Sequence, residues 1–115
     1  MADTDILHVI RYHAAARMAV AEKRRPGEVT DVKTSHDRLR SGDLLLNQPQ
    51  SGYRFSVDAL LLAHFAGGRE GVATISDLGT GCGVVGLMLC RCYPDARVTA
   101  FEANAVLASC ATQNA

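Results

Sequence analysis

The chain has 115 residues, 48% hydrophobic, 21% charged and 5% aromatic, which is one domain at most and enough chain to bury roughly two-thirds of its unfolded surface. Lys plus Arg and Asp plus Glu each number 12, so no global field announces a nucleic-acid or membrane partner. No apolar run approaches the roughly 18 residues of a membrane span, and the first residues lack the apolar core of a secretion signal, which predicts a cytoplasmic protein without a membrane partner.

Residues 5–24 place Leu7, Ile10, Ala14 and Met18 on one apolar stripe, which predicts a helix ended by Pro26-Gly27. Residues 26–41 are polar and charged without a period and predict a linker of low internal order. The expected division is therefore 1–36, N-terminal helix and linker, and 37–115, the main domain. The basic residues Lys23, Arg24, Arg25, Lys33, Arg38 and Arg40 fit a solvated linker better than an RNA contact.

Leu44–Gln48 predicts a short strand, Pro49–Gly52 a turn, and Tyr53-Arg54-Phe55 the returning partner of a hairpin, with Tyr53 or Phe55 in the core. Ser56 suits a helix N-cap and Asp58 the first turn. The helix Asp58–Phe65 is apolar nearly all round, which predicts burial on more than one side, with His64 a core or boundary histidine and Gly67-Gly68 the stop.

Ala73–Ser76 then reads as a strand, Val84–Cys92 as a helix ended by Tyr93-Pro94-Asp95, and Arg97–Phe101 as a second strand closing on Glu102. This is a βαβ unit with parallel strands. A last helix runs from about Asn104 through Val106, Leu107, Cys110 and Ala111. Two parallel strands between apolar helices leave an unpaired hydrophobic edge. The cysteines 82, 90, 92 and 110 form no C-x-x-C pair, so buried free thiols are expected and no metal.

Between strand and helix stands Asp77-Leu78-Gly79-Thr80-Gly81-Cys82-Gly83. Glycines at such a bend permit positive φ and close ligand approach, and the following helix N-terminus offers N–H groups to an anion. Gly81, Gly83 and Gly86 satisfy the dinucleotide spacing, and Glu102 lies 21 residues beyond Gly81, where an acid that binds ribose is expected, so NAD(P) or FAD fits the pattern. Asp77, however, would meet a pyrophosphate with a like charge. S-adenosylmethionine turns that acid to use: Asp77 can hold its ammonium group, and Glu102 can accept from both ribose hydroxyls. Arg54 and Ser56 are candidates for the cofactor's carboxylate, or else a turn arginine in water and an ordinary cap. The plainer roles of Asp77 and Glu102 are an acid capping loop amides and a solvated strand terminus.

With these residues, the chain resembles the class I, Rossmann-like S-adenosylmethionine-dependent methyltransferases, whose first motif is matched by Asp77-Leu78-Gly79-Thr80-Gly81-Cys82-Gly83. Residues 44–66, LLLNQPQSGYRFSVDALLLAHFA, are similar to the segment before the first strand in small-domain methyltransferases of the bacterial tRNA1(Val) adenine-N6 type. The resemblance covers residues 37–115 and implies an α/β Rossmann-like fold truncated after the second parallel strand and its helix. It implies a cofactor site at Asp77, Gly79, Gly81, Gly83 and Glu102, and tRNA or another nucleic acid as substrate of the full-length enzyme. Such enzymes carry an Asn-Pro-Pro-Tyr tetrapeptide that holds the target amine; this sequence has none. The expectation is a fragment with the cofactor half, no catalytic residue and no activity alone. Two alternatives stay open: an NAD(P)- or FAD-dependent oxidoreductase domain, and a non-catalytic remnant that folds with a partner. The sequence assigns no oligomeric state.

Overall fold

The computed structural model describes residues 7–12, 33–39, 44–52 and 54–115. In chain order their elements are strands β1 (His8–Tyr12), β2 (Thr34–Leu39) and β3 (Leu44–Pro49), helix α1 (Val57–Ala66), strand β4 (Thr74–Leu78), helix α2 (Val84–Cys92), strand β5 (Arg97–Glu102) and helix α3 (Ala105–Asn114). The class is α/β. β1, β5 and β4 form a mixed three-stranded sheet in that order, and β2 pairs with β3 in a second sheet.

The unit β4, α2, β5 is the βαβ element predicted from the sequence, with parallel strands running from Thr74 opposite Arg97 to Leu78 opposite Phe101. α2 stops at Tyr93, before Pro94, which has no amide hydrogen with which to extend the ladder. The Tyr93 hydroxyl donates to the Ala66 carbonyl and accepts from the Arg69 N–H, tying the end of α1 to the end of α2. α3 begins at Asn104, whose side-chain oxygen accepts from the N–H groups of Val106 and Leu107, two donors a helix start otherwise leaves unpaired. One face of the sheet, with Ile10, Tyr12, Val98 and Ala100, packs on Val84, Leu87 and Cys90 of α2 and Ala108 and Ala111 of α3. Each fully buried aliphatic or aromatic side chain of this core contributes about 1.5–3 kcal/mol.

Residues 8–12 are a strand, not part of a helix over 5–24. β1 runs antiparallel to β5, from His8 opposite Glu102 to Tyr12 opposite Val98; residues 5, 6 and 13–24 of the predicted helix lie outside the described residues. Val9, Ile10 and Tyr12 favour extended backbone, and the alternation that buries Ile10 and Tyr12 fits the pleat. β1 thereby closes the β5 edge, leaving β4 as the other edge of this sheet.

β3 pairs with β2, from Thr34 opposite Pro49 to Leu39 opposite Leu44, rather than with residues 54–55. The polar character that made residues 34–39 read as linker is matched by partners. Gln48 Nε2 donates to Asp37 Oδ2 at 2.6 Å, the Arg54 guanidinium pairs with the same carboxylate, and Gln48 Oε1 accepts from the Phe55 N–H at 3.1 Å. A side chain thus takes a backbone donor that the expected returning strand would have used. Phe55 packs against the core, as one of the two aromatics was expected to, whereas Tyr53 lies outside the described residues. The expected boundary between residues 36 and 37 falls inside β2.

α1 was expected to be buried on more than one side, but only Ala63 is fully buried. Ala59 and Leu60 pack against the core, while Val57, Leu61, Leu62 and Phe65 are exposed, as is His64. The sheet face away from α2 and α3 is likewise bare among the described residues. Across it Val9, Phe101 and Leu78 lie in register, and Leu78 is 78% exposed. No helix of the described residues is long and apolar enough to cross a membrane.

Candidate functional site

The loop 77–83 joins the C-terminal end of β4 to α2, beside the end of β5 that carries Glu102. Ligands of open α/β sheets bind in that crevice. Gly79, Gly81 and Gly83 have φ values of 70°, 60° and 92°, a region in which a Cβ is strained, so their alternation follows from the path of the chain. That path engages the loop amides internally. The N–H groups of Gly79 and Thr80 both donate to the Phe101 carbonyl, at 2.9 and 3.0 Å, and that of Gly83 donates to the Thr80 carbonyl at 2.9 Å.

Asp77 and Glu102 hold the loop from its two sides. Asp77 Oδ2 accepts from the Thr80 hydroxyl at 2.6 Å and from the Gly86 N–H at 2.9 Å, while its Oδ1 accepts from no described residue. Glu102 is buried, with Oε2 accepting from the Gly81 N–H at 2.8 Å and Oε1 from the Asn104 N–H at 2.9 Å. It is not a solvated strand terminus. Each of its oxygens retains an acceptor site, since a carboxylate has about four lone pairs.

Arg54 and Ser56 stand differently. The Arg54 guanidinium pairs with Asp37 and donates to Ser35 Oγ at 2.9 Å and to the Pro49 carbonyl at 2.8 Å, so its charge is matched within the hairpin. Its side chain stays 37% exposed, and its charge also bears on Cys82 of the loop. Ser56 occupies the N-cap position of α1, is exposed, and makes no capping hydrogen bond.

Within the loop, Thr80 supplies the hydroxyl held by Asp77. Two further residues meet the loop without having been expected there. Tyr12 lies against Gly83 and Gly86. Asn114, at the end of α3, donates to the carbonyls of Cys82 and Asn47 at 2.9 and 3.0 Å and accepts from the Asn47 N–H at 2.8 Å, joining loop, hairpin and helix. The alternation of Ile10 and Tyr12 signals a strand; nothing near Asn114 in sequence points to partners 32 and 67 residues away. Among the described residues no group of His, Cys, Asp or Glu could hold a metal ion.

All four cysteines are free thiols, with Cys82, Cys90 and Cys110 buried and Cys92 exposed. Burial, and then the neighbouring Cys110 thiol, push Cys82 up to about 12 against the opposing Arg54 charge, and burial raises Cys110 as well. A raised pKa depletes the reactive thiolate of Cys82 at pH 8. Iodoacetamide at pH 8 is therefore expected to modify Cys92 alone in the folded chain and all four cysteines in urea. Native labelling of Cys82 at the rate of Cys92, read by mass spectrometry, would contradict this geometry.

Comparison with known proteins bears on the same segment. Over 70 residues, 61% of this chain and 30% of the relative, the sequence is 41% identical to the tRNA1(Val) (adenine(37)-N6)-methyltransferase of Pedobacter heparinus. Over 74 residues it is 35% identical to the protein of the same name from Porphyromonas gingivalis strain W83, covering 61% of this chain and 29% of that protein. The chain is a partial match to the tRNA1(Val) adenine-N6-methyltransferases. The resemblance read from the sequence is borne out. This chain spans about 30% of the length of the curated relatives it matches. No family model and no solved structure matches it.

Proposed function

We propose that this chain is the cofactor-binding portion of an S-adenosylmethionine-dependent methyltransferase acting on the N6 amine of adenine in tRNA, with the Rossmann-like fold of such enzymes and a cytoplasmic location. The observation that carries the cofactor is how the loop uses its amides. A pyrophosphate needs free N–H groups to cradle it, but those of Gly79, Thr80, Gly81, Gly83 and Gly86 are engaged inside the protein. The loop also offers acceptors: Asp77 Oδ1 for an ammonium group and the unused lone pairs of Glu102 for ribose hydroxyls. This set fits a nucleoside with a charged amino-acid end, and Gly79, against which a built Cβ meets nothing within 4 Å, leaves room for its approach.

When bound, the cofactor's sulfonium supplies an activated methyl group. The residues here bind and orient it: Glu102 fixes the ribose, Asp77 the ammonium, and the β4 and β5 ends set the distance between them. In-line transfer also needs the target amine held in place, and no Asn-Pro-Pro-Tyr segment for that task occurs in this sequence. The tRNA substrate rests on the names of the relatives.

A second reading, a non-catalytic unit completed by strands and helices from a partner or from a longer chain, is supported by the exposed Leu61, Leu62, Phe65 and Leu78. The two readings part in a thermal-shift and transfer assay on the purified chain. S-adenosylhomocysteine at 100 times its Kd stabilises the fold by about 2.7 kcal/mol, several degrees in Tm, with no shift from NADH and no methyl transfer to tRNA. A shift with NADH alone would favour the oxidoreductase alternative, and measurable transfer would overturn the cofactor-portion reading.

A further inference from the structure

Tyr12 has no part in the cofactor reading, yet it heads the largest fully buried side chains of the described residues and reaches the loop from β1, the edge strand opposite β4. Its ring lies along the first turn of α2. A Cβ built on Gly86 would stand 2.9 Å from Tyr12 Cε2 and 3.1 Å from Asp77 Oδ2, and one built on Gly83 would fall on the Tyr12 hydroxyl oxygen, 3.1 Å from Cζ. Gly79 has no such neighbour. The glycines thus divide: Gly83 and Gly86 admit a side chain of the protein, and Gly79 faces open space.

The contact bears on the carboxylate as well. Gly86 is both the residue on which the ring packs and the donor to Asp77 Oδ2. A shift of the first turn of α2 into space left by the ring would move that N–H and, with it, the anchored oxygen. The Tyr12 hydroxyl has no hydrogen-bond partner among the described residues; it and Cζ lie over Gly83, and the ring edge lies over Gly86.

We propose that Tyr12 is a positioning residue of the cofactor loop: its ring, packed against Gly83 and Gly86, fixes the first turn of α2 and so the Asp77 carboxylate that receives the amino-acid end of the cofactor. The ligand in this inference rests on the cofactor reading; the packing does not. Two measurements on the full chain and its Tyr12→Phe, Tyr12→Leu and Tyr12→Ala variants test it: amide hydrogen exchange, and titration with S-adenosylhomocysteine and with adenosine, which lacks the amino-acid end. Tyr12→Phe keeps the ring and is expected to match the unsubstituted chain in both. Tyr12→Leu and Tyr12→Ala are expected to speed exchange at Gly83 and Gly86 at least tenfold, leave the β4–β5 ladder protected, and weaken S-adenosylhomocysteine at least tenfold and adenosine less than twofold. Unchanged exchange at Gly83 and Gly86 in a folded Leu or Ala variant, or equal loss of both ligands, would overturn the proposal. So would global unfolding of both variants, which would make Tyr12 a core residue and no more. If the unsubstituted chain does not bind S-adenosylhomocysteine, the cofactor reading and the ligand half of the proposal fail, while local loosening by exchange still supports the packing half.

Discussion

Gly83→Ala is expected to destabilise the chain by about 2–5 kcal/mol, whereas Gly79→Ala, four residues earlier in the same motif, costs only about 1–2 kcal/mol and acts mainly on ligand binding. Both residues hold positive φ, 92° and 70°, so both substitutions incur the left-handed strain. They differ in what the new methyl meets. At Gly83 it falls on the Tyr12 hydroxyl, with an Ala111 Cβ 3.6 Å away, and at Gly79 it meets nothing within 4 Å. Overpacking a closed site adds about 1–3 kcal/mol, because ring or helix must move. Against a typical stability of about 5–15 kcal/mol, the Gly83 variant loses a large share. At Gly79 the methyl enters the space through which a nucleoside would approach, so the affinity for S-adenosylhomocysteine falls at least tenfold, about 1.4 kcal/mol. Urea unfolding midpoints and titrations of the two variants separate the effects, and equal stability losses would show that the ring does not discriminate between the glycines.

The second large effect is expected at Glu102. Its carboxylate meets two backbone donors, Gly81 N–H at 2.8 Å and Asn104 N–H at 2.9 Å, in a buried setting. Glu102→Ala strands both, and each unmet buried donor costs about 1–3 kcal/mol, so a loss of about 2–6 kcal/mol is expected. Glu102→Gln is not neutral, because its amide nitrogen must face one of those two donors while its oxygen serves the other; about half the loss follows. Where the Ala variant still folds, binding of S-adenosylhomocysteine is expected to fall at least a hundredfold, since the two charge-assisted hydrogen bonds proposed to the ribose would go with the carboxylate. Denaturation with parallel titration reads both. A folded Ala variant of normal affinity would remove Glu102 from the site.

The parts of this fold visible in the sequence are those with punctuation nearby. α2 spans Val84–Cys92 as expected because Gly83 opens it and Tyr93-Pro94 closes it. β5 ends at Glu102 as expected because its alternation buries Val98, Ala100 and Glu102 on one face. β1 was hidden because Leu7, Ile10 and Ala14 satisfy a helical period while Ile10 and Tyr12 satisfy that of a strand. Only the free edge of β5, a tertiary feature, decides between them. The hairpin partner was hidden for a similar reason. Residues 34–39 look solvated until Arg54 and Gln48 meet Asp37 across the fold.

At the candidate site, residue types were legible and their partners were not. Asp77, Gly79, Gly81, Gly83 and Glu102 come together at the ends of β4 and β5. Arg54, placed in the hairpin by its ion pair, does not join them as a free cation. The division of the glycines between Tyr12 and open space depends on a residue some 70 positions upstream, and no local pattern carries that information.

The most direct test of the cofactor assignment is isothermal titration of the chain with S-adenosylhomocysteine, in a sample shown to be folded by its dispersed amide spectrum. The loop of Asp77 to Gly83 with Glu102 predicts saturable binding at one site per chain, lost in Glu102→Ala and absent with NADH. No heat from S-adenosylhomocysteine in the folded sample, or saturable binding of NADH in its place, would contradict it.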